Sequence, residues 1–393
     1  MTWKVSDPMS ERIKFIGLYK DGGHTISGLS QKFGISRKTA YKWIERYELE
    51  GPKGLYERPR TPLTHPQETP PEVQEALAEA RRNHPTWGPK KLSAWLESRQ
   101  PELELPAPST IGDILKREGL IKPRRFRRRL PVPKVSPVVQ VTRANQEWNA
   151  DFKGQFRLGN GDYCYPLTIS DAFSRFLVRV RALEGTGTTG ARTEFERAFQ
   201  ELGLPDGIRT DNGTPFASTA LGRLSPLSVW WIRLGIRPIT IRPGKPQDNG
   251  RHERMHRTLK AQTTRPPAWD SPKQQTLFDR FRKEYNDERP HEALGQKPPA
   301  KCYQASNRPY PATVPEVEYP SHFEVRKVVR HGVFSWKNQP IFVSKTLAGE
   351  WVGLIEIDEG LWRVYFSRVE LGLLDEETLD RGKLGRVLPM SPV

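Results

Sequence analysis

Residues 148–158 read WNADFKGQFRL, and this stretch decides the fold of the central part of the chain. Polar and apolar residues alternate along it, as they do in a β-strand with one buried face. Two more strands are predicted at residues 163–171 and 175–182, the first of them after the turn-like sequence GNGD at 159–162. The spacing of the three strands predicts an antiparallel meander.

Helices and strands alternate after the meander. The predicted helices cover residues 189–203, 249–262 and 272–286, and two short strands are predicted at residues 207–210 and 239–242. A meander followed by alternating strands and helices indicates a layered α/β domain with a mixed sheet. We place this domain at residues 147–306.

The composition points to a nucleic-acid partner. The chain of 393 residues contains 63 Lys and Arg and 46 Asp and Glu, which gives a net charge of +17. An excess of positive charge of this size is typical of proteins that bind a polyanion. A hydrophobic fraction of 35% excludes full disorder. Cys164 and Cys302 lie in no metal-ligand spacing, which excludes a disulfide scaffold and favours a cytoplasmic protein. We find no secretion signal and no run of 18 apolar residues, so neither export nor membrane insertion is expected.

The amino-terminal residues 1–56 are predicted to form a helix-turn-helix domain. Two short helices at 10–19 and 26–33 are followed by a turn at Gly34 and by a basic, aromatic third helix with Ser36 as its N-cap. The residues expected to reach DNA bases are Arg37, Lys38, Thr39, Tyr41 and Lys42. The alternative is a plain three-helix bundle with a solvated basic face.

Four further segments follow from composition. Residues 57–71 are a proline-rich linker, residues 72–121 resemble a second helix-turn-helix domain, and residues 122–146 form a basic arm. The arm is expected to follow DNA phosphates or a minor groove through Lys122, Arg124, Arg125, Arg127, Arg128 and Arg129, although it also fits a solvated, flexible linker. After a proline-rich boundary at 307–320, short strands predict an SH3-like β-barrel at residues 321–378.

Three carboxylates occupy positions where a polar side chain needs an explanation. Asp151 lies inside the first strand of the meander, and Asp211 directly follows the buried strand GIRT. Glu253 is on a predicted helix, with Lys260 two turns further along the same face. Carboxylates are the ligands that Mg²⁺ prefers, and a pair of such ions can bind the attacking and leaving oxygens of a phosphodiester. The three acids could therefore converge on one metal site, with Lys260 near a phosphate.

The sequence around these acids resembles a known family. The blocks WNADFKG, RTDNGTPF, PGKPQDNGRHERMHRTLK and YNDERPHEALG closely resemble the catalytic core of insertion-sequence transposases in the retroviral-integrase superfamily, which has a ribonuclease-H-like fold. The resemblance implies a DDE triad of Asp151, Asp211 and Glu253 that holds two Mg²⁺ ions, with Mn²⁺ as a substitute. Lys260 matches the basic residue that the family places seven positions after the glutamate.

The resemblance also implies what such a protein does. It would bind the terminal inverted repeats of a mobile element, cleave its 3′ ends and join them to target DNA as a dimer or tetramer, with a partner ATPase or targeting subunit left open. One departure from the family is the interval of 41 residues between Asp211 and Glu253, whose excess we assign to an insertion at residues 221–231. Within that interval, Trp230 and Trp231 are predicted to be buried, with an aromatic surface against DNA or a partner as the alternative.

Two other functions were weighed. Residues 252–256 read HERMH and match the HExxH pattern of zinc proteases, but arginines surround the pattern. We instead expect His252 and His256 to face DNA, support the site or lie on a solvated helix face. The other acids nearby, Asp206 and Asp248, are assigned to a turn and an N-cap. The second alternative is a DNA-binding regulator with a catalytically silent core, against which three intact carboxylates argue.

Overall fold

The computed structural model describes residues 7–58, 68–121, 141–218, 220–241, 250–379 and 383–388. By internal contacts the chain divides into two units, residues 1–68 and residues 69–393. The finer domain boundaries given above stay predictions. In the described ranges no helix combines the length and the apolar character that crossing a membrane requires.

The first unit is a bundle of three helices. They are α1 (Pro8–Lys20), α2 (Ile26–Lys32) and α3 (Arg37–Glu50). The turn before α3 uses Gly34 at a positive φ of 64°, and the Ser36 hydroxyl caps α3 by accepting the Thr39 N–H at 3.1 Å. Trp43 and Ile44 on α3 pack against Phe15 of α1 and Leu29 of α2 in a small core. The predicted helix-turn-helix arrangement is therefore confirmed.

The second unit opens with another three-helix group, α4 (Pro71–Asn83), α5 (Pro89–Arg99) and α6 (Pro108–Arg117). Leu77, Leu92 and Ile111 from the three helices meet in a core with the buried Trp87. This group contacts the later part of the unit, because His84 Nδ1 lies 3.1 Å from Glu284 Oε1. Residues 122–140 of the basic arm that follows it lie outside the described residues, and they include Lys122, Arg124, Arg125, Arg127, Arg128 and Arg129.

A mixed six-stranded sheet forms the centre of the second unit. Its strands are β1 (Trp148–Phe152), β2 (Phe156–Arg157), β3 (Tyr163–Asp171), β4 (Leu177–Leu183), β5 (Gly207–Thr210) and β6 (Arg237–Thr240). The order is β2-β3-β1-β5-β6, with β4 also paired to β3. β1, β3 and β4 pair antiparallel as the predicted meander, whereas β5 is parallel to β1 and β6. The mixed α/β sheet is thus confirmed.

Helices cover both faces of this sheet. They are α7 (Thr188–Leu202), α8 (Pro226–Arg233), α9 (Gly250–Thr263) and α10 (Ser271–Asp287). On β3, Leu167 and Ile169 pack on the α7–α8 side, while Thr168 contacts α9 on the other side, as the alternation of a strand requires.

Residues 221–231, where an insertion is predicted, lie mostly in α8, which connects the parallel strands β5 and β6 and is part of the main core. Parallel neighbours need a crossover connection, and a helix commonly supplies it. Trp230 and Trp231 are 4% and 0% exposed, so their predicted burial is confirmed.

The carboxyl-terminal strands form two sheets around one core. β7 (Glu324–Lys327), β10 (Trp351–Asp358), β11 (Leu361–Phe366) and β12 (Val369–Asp375) pair in the order β12-β11-β10-β7, and β8 (Val333–Trp336), β9 (Gln339–Phe342) and β13 (Gly385–Arg386) form the second sheet. Across the residues that the structure describes, these ladders do not close into one barrel. The SH3-like barrel stays a prediction.

Candidate active site

Asp151 and Asp211 lie at matching levels of two neighbouring parallel strands. Asn149 of β1 pairs with Arg209 of β5, and each aspartate comes two residues later along its chain. Both therefore lie toward the carboxyl ends of their strands, the edge where open α/β sheets bind ligands. The Asp211 carboxylate is exposed and accepts the Gly213 N–H at 3.2 Å.

Glu253 approaches the same place from a helix. It is exposed in the first turn of α9, and the neighbouring Met255 and Leu259 are buried in the core between this helix and the sheet. His252 on α9 contacts Thr168, which is the cross-strand partner of Asp151 on β3. Packing of α9 on this face of the sheet thus carries Glu253 toward Asp151.

The three acids interact electrostatically. Burial, then the nearby charge of Asp211 and to a lesser degree that of Glu253, raise the pKa of Asp151 to about 7, against an opposing effect of Lys153. The side chain of Asp151 is only 20% exposed, so water screens little of this repulsion. A divalent cation bound among the three carboxylates would relieve it.

Two histidines lie buried next to Asp151, so of the three predicted placements the structure supports the one behind the site and not those facing DNA or solvent. His252 and His256 are 3% and 5% exposed, with ring centroids 4.5 Å apart. Burial lowers the pKa of His252 to about 3 and, together with the charges of His252 and Lys153, that of His256 to about 2. Both imidazoles are therefore neutral and support the site from behind.

The environment of His252 removes the structural basis of the zinc-protease interpretation. Its Nε2 lies 2.8 Å from Thr168 Oγ1, and its Nδ1 lies 3.1 Å from Ser170 Oγ. Asp151, His252 and His256 do place one potential ligand atom each within 4.8 Å of one another. Both nitrogens of His252 are nevertheless held by the sheet, whereas an HExxH site needs both imidazoles on one zinc ion.

Thr168 and Ser170 are the site residues that sequence reasoning missed. Both are buried polar residues on β3, and both contact the histidines of α9. The sequence does contain a pattern that could have indicated them, because hydroxyl residues alternate with Leu167 and Ile169 in a strand whose other residues are mostly apolar. A polar row on a buried face needs partners, and here the partners lie on α9.

The residues predicted to bind DNA lie at two described places. Arg37, Lys38, Tyr41 and Lys42 are exposed on the first turns of α3 in the first unit. Thr39 is only half-buried, and its hydroxyl lies 2.9 Å from the Ser36 hydroxyl at the helix cap. Lys260 is exposed on α9, two turns beyond Glu253. Asp206 lies at the surface, where it pairs with Arg143, and Asp248 is outside the described residues.

Comparison with protein families finds four matches. Residues 141–246 and 234–299 each match an integrase core domain family. Residues 11–62 match a helix-turn-helix domain family, and residues 39–115 match a homeodomain-like domain family.

Similar proteins come from mobile elements and retroviruses. The chain is 26% identical over 226 residues to the insertion element IS476 uncharacterized 39.2 kDa protein of Xanthomonas euvesicatoria, covering 57% of this chain and 62% of that protein. It is 27% identical over 158 residues to the IS407 uncharacterized 31.7 kDa protein of Burkholderia multivorans, covering 40% and 54%. The chain therefore spans less than two thirds of either relative. A Gag-Pol polyprotein of baboon endogenous virus is 30% identical over 135 residues, which is 33% of this chain and 7% of the polyprotein.

Solved structures with some similarity are also viral. The HTLV-2 integrase catalytic core domain in complex with magnesium, in its trimeric form, has 17% identity and a TM-score of 0.34, covering 42% of this chain and all of that one. A simian T-cell lymphotropic virus intasome in complex with a PP2A regulatory subunit has 16% identity and a TM-score of 0.37, covering 75% and 97%.

Proposed function

The chain carries an integrase core domain and helix-turn-helix domains, and from this premise we propose that it is a DNA transposase. In this proposal it binds the ends of a mobile element, cleaves a strand at each end and joins the freed 3′-hydroxyl to target DNA. The relatives from insertion elements support this assignment.

The observation that carries the proposal is the approach of three carboxylates from three separate elements. Asp151 on β1, Asp211 after β5 and Glu253 on α9 come from three separate elements, and the charges of Asp211 and Glu253 both raise the pKa of Asp151. Such a set of oxygen ligands fits Mg²⁺ or Mn²⁺. We assign the three residues as the ligands of two divalent ions, which when bound supply the charge that stabilises phosphodiester exchange.

The remaining residues would place the DNA. Arg37, Lys38, Tyr41 and Lys42 on α3 read the terminal repeats, and Lys260 holds a phosphate near the carboxylates. The basic arm and the carboxyl-terminal sheets bind the DNA backbone. Because two element ends are joined in one event, the active form is a dimer or tetramer, with which a targeting ATPase could cooperate.

The test is strand transfer of a pre-processed end duplex into supercoiled plasmid, in Mg²⁺ or Mn²⁺. Glu253→Gln keeps the size of the side chain but removes its charge, so we expect joined product to fall at least about a hundredfold while end binding is retained. Glu72→Gln is the matched control, since Glu72 is also an exposed acid in the first turn of a helix, α4.

Two results would each tell against one part of the proposal, the assignment of Glu253 or the transposase activity. Strand transfer that survives in Glu253→Gln would show that Glu253 is not part of the site. Tight end binding without joined product from the unaltered chain would leave three explanations: a DNA-binding regulator, a missing partner subunit, or the wrong end sequence.

A further inference from the structure

One hydroxyl organises the polar groups beneath the carboxylates. Thr168 Oγ1 lies 3.1 Å from the main-chain oxygen of Asp151, 2.8 Å from His252 Nε2 and 2.7 Å from His256 Nε2. A hydroxyl has one hydrogen to donate and can accept two. The carbonyl of Asp151 can only accept, so the hydroxyl donates to it. Both imidazoles must then donate their Nε2–H groups to Thr168.

This assignment determines the other nitrogen of each ring. A neutral imidazole carries a single N–H, so Nδ1 of both histidines bears a lone pair. For His252 that lone pair accepts the hydroxyl of Ser170, at 3.1 Å. For His256, Nδ1 faces Oδ2 of Asp151 at 3.8 Å, the one Nδ1 partner recorded within the described ranges. That separation is too long for a direct hydrogen bond.

The space between His256 Nδ1 and Asp151 Oδ2 suits a cation that binds both atoms. Bonds from Zn²⁺ to imidazole nitrogen and carboxylate oxygen are about 2.0–2.2 Å long, so an ion that forms bonds of similar length can bridge atoms up to about 4 Å apart. Metal-bound histidines almost always donate their second N–H to a fixed partner that orients the ring. Thr168 is such a partner for His256, and it also holds the main chain of Asp151.

We propose that His256 Nδ1 is a ligand, together with Asp151, of a divalent transition-metal ion in the active site. The inference rests on the proposed function, because Asp151 is one of its three carboxylates. Mg²⁺ is bound through oxygen ligands, whereas first-row transition ions, with Mn²⁺ the weakest binder among them, also accept imidazole nitrogen. A nitrogen ligand therefore makes the site selective for Mn²⁺ over Mg²⁺, which three carboxylates alone would not do.

The experiment uses the full chain without DNA, loaded with Mn²⁺ alone and studied by pulsed electron paramagnetic resonance. We expect nitrogen modulation from a directly bound imidazole, which changes to the ¹⁵N pattern when the histidines are ¹⁵N-labelled. In His256→Gln the amide still reaches Thr168 but no donor replaces Nδ1. The modulation should disappear, and Mn²⁺ affinity should fall at least about tenfold, the loss that removal of an outer partner alone can cause. Mg²⁺ affinity should change much less.

His252→Gln is the matched control, because His252 is an equally buried histidine one turn away on α9 that contacts the same Thr168 hydroxyl. It should keep the modulation. His256→Asn places an oxygen near the position of Nδ1 and should retain Mn²⁺ binding without the nitrogen signal.

The outcomes separate this inference from the proposed function. Absence of nitrogen modulation in the unaltered chain overturns the inference and needs no variant to fold. If Asp151→Asn abolishes Mn²⁺ binding while His256→Gln leaves the affinity unchanged, the carboxylate site stands and the histidine ligand is wrong. If Asp151→Asn also leaves the affinity unchanged, the metal site of the proposed function is itself wrong.

Discussion

The surroundings of Asp151 disfavour the ionised form of its carboxylate. Its side chain is largely buried on the face of β1 that α9 covers, and the charges of Asp211 and Glu253 act on it. In the folded chain the pKa of Asp151 rises from 3.8 to about 7. The folded protein therefore keeps this proton to a higher pH than the unfolded protein does, and losing it destabilises the fold as pH rises from about 4 to about 7.

Replacing this carboxylate should stabilise the apo protein at alkaline pH. Without divalent ions, we expect the free energy of unfolding of Asp151→Asn to be higher than that of the unaltered chain by on the order of 2–4 kcal/mol at pH 8. At pH 4 the two free energies should differ little. Urea unfolding at the two pH values measures the difference. Asp113→Asn, a change at an exposed acid of α6, should show no such dependence. A pH-independent effect of Asp151→Asn would contradict the explanation.

Helix α3 combines a packed face with an exposed basic one. Ala40, Trp43 and Ile44 are buried in the first unit, whereas Arg37 and Lys38 lie in the exposed first turn. Burial of one face holds the helix in place. Its basic residues therefore lose little backbone conformational entropy when they contact a partner. A helix that reads DNA needs one face packed in its domain and another face exposed to the groove.

Loss of the exposed basic residues of α3 should weaken end binding with little effect on stability. For Arg37→Ala and Lys38→Ala we expect lower affinity and a slope of log K against log salt that is shallower by about 0.9 for each lost phosphate contact. Fluorescence anisotropy across a salt series measures both. Lys53→Ala changes an exposed lysine of the same unit that lies beyond α3, and it serves as the control. Unchanged affinity in both α3 variants would show that α3 does not bind the ends.

The whole molecule is built from separate cores. One core fills the first unit, while in the second unit the sheet has one core beneath α7 and α8 and another beneath α9 and α10. Trp231 is fully buried among Phe195 and Phe216 in the core beneath α7 and α8. The units at residues 1–68 and 69–393 are compact by themselves, so we expect them to unfold in separate transitions.

A change in the core of one unit should therefore leave the other unit unaffected. Trp231→Ala should destabilise the second unit by about 3–5 kcal/mol, with the transition of the first unit unchanged. Trp269→Ala, at a tryptophan that is 62% exposed, should cost far less. Calorimetry resolves the transitions, and an equal shift of both by Trp231→Ala would mean that the units unfold together.

Several elements could be predicted because their signals are local. Gly34 and the Ser36 cap mark the start of α3, and the alternation in WNADFKGQFRL marks β1. Other elements lacked such signals. β12 has no regular alternation, since Gly372 at a φ of 152° lies beside a shift in register with β11. α8 is absent from the predicted helices, because its eight residues are too few to show helical periodicity.

The sequence by itself determined the types of most elements and the positions of Asp151, Asp211 and Glu253 within them, because periodicity, caps and turns act over a few residues. Only the tertiary structure decided which side of α9 meets the sheet. His252 contacts Thr168 across 84 residues of chain, and this contact decides among the three placements that the sequence of the helix left open for the two histidines. Burial of a side chain depends on what its element packs against. A partner that is distant in the sequence, such as Thr168, does not show in the hydrophobic pattern of the helix itself.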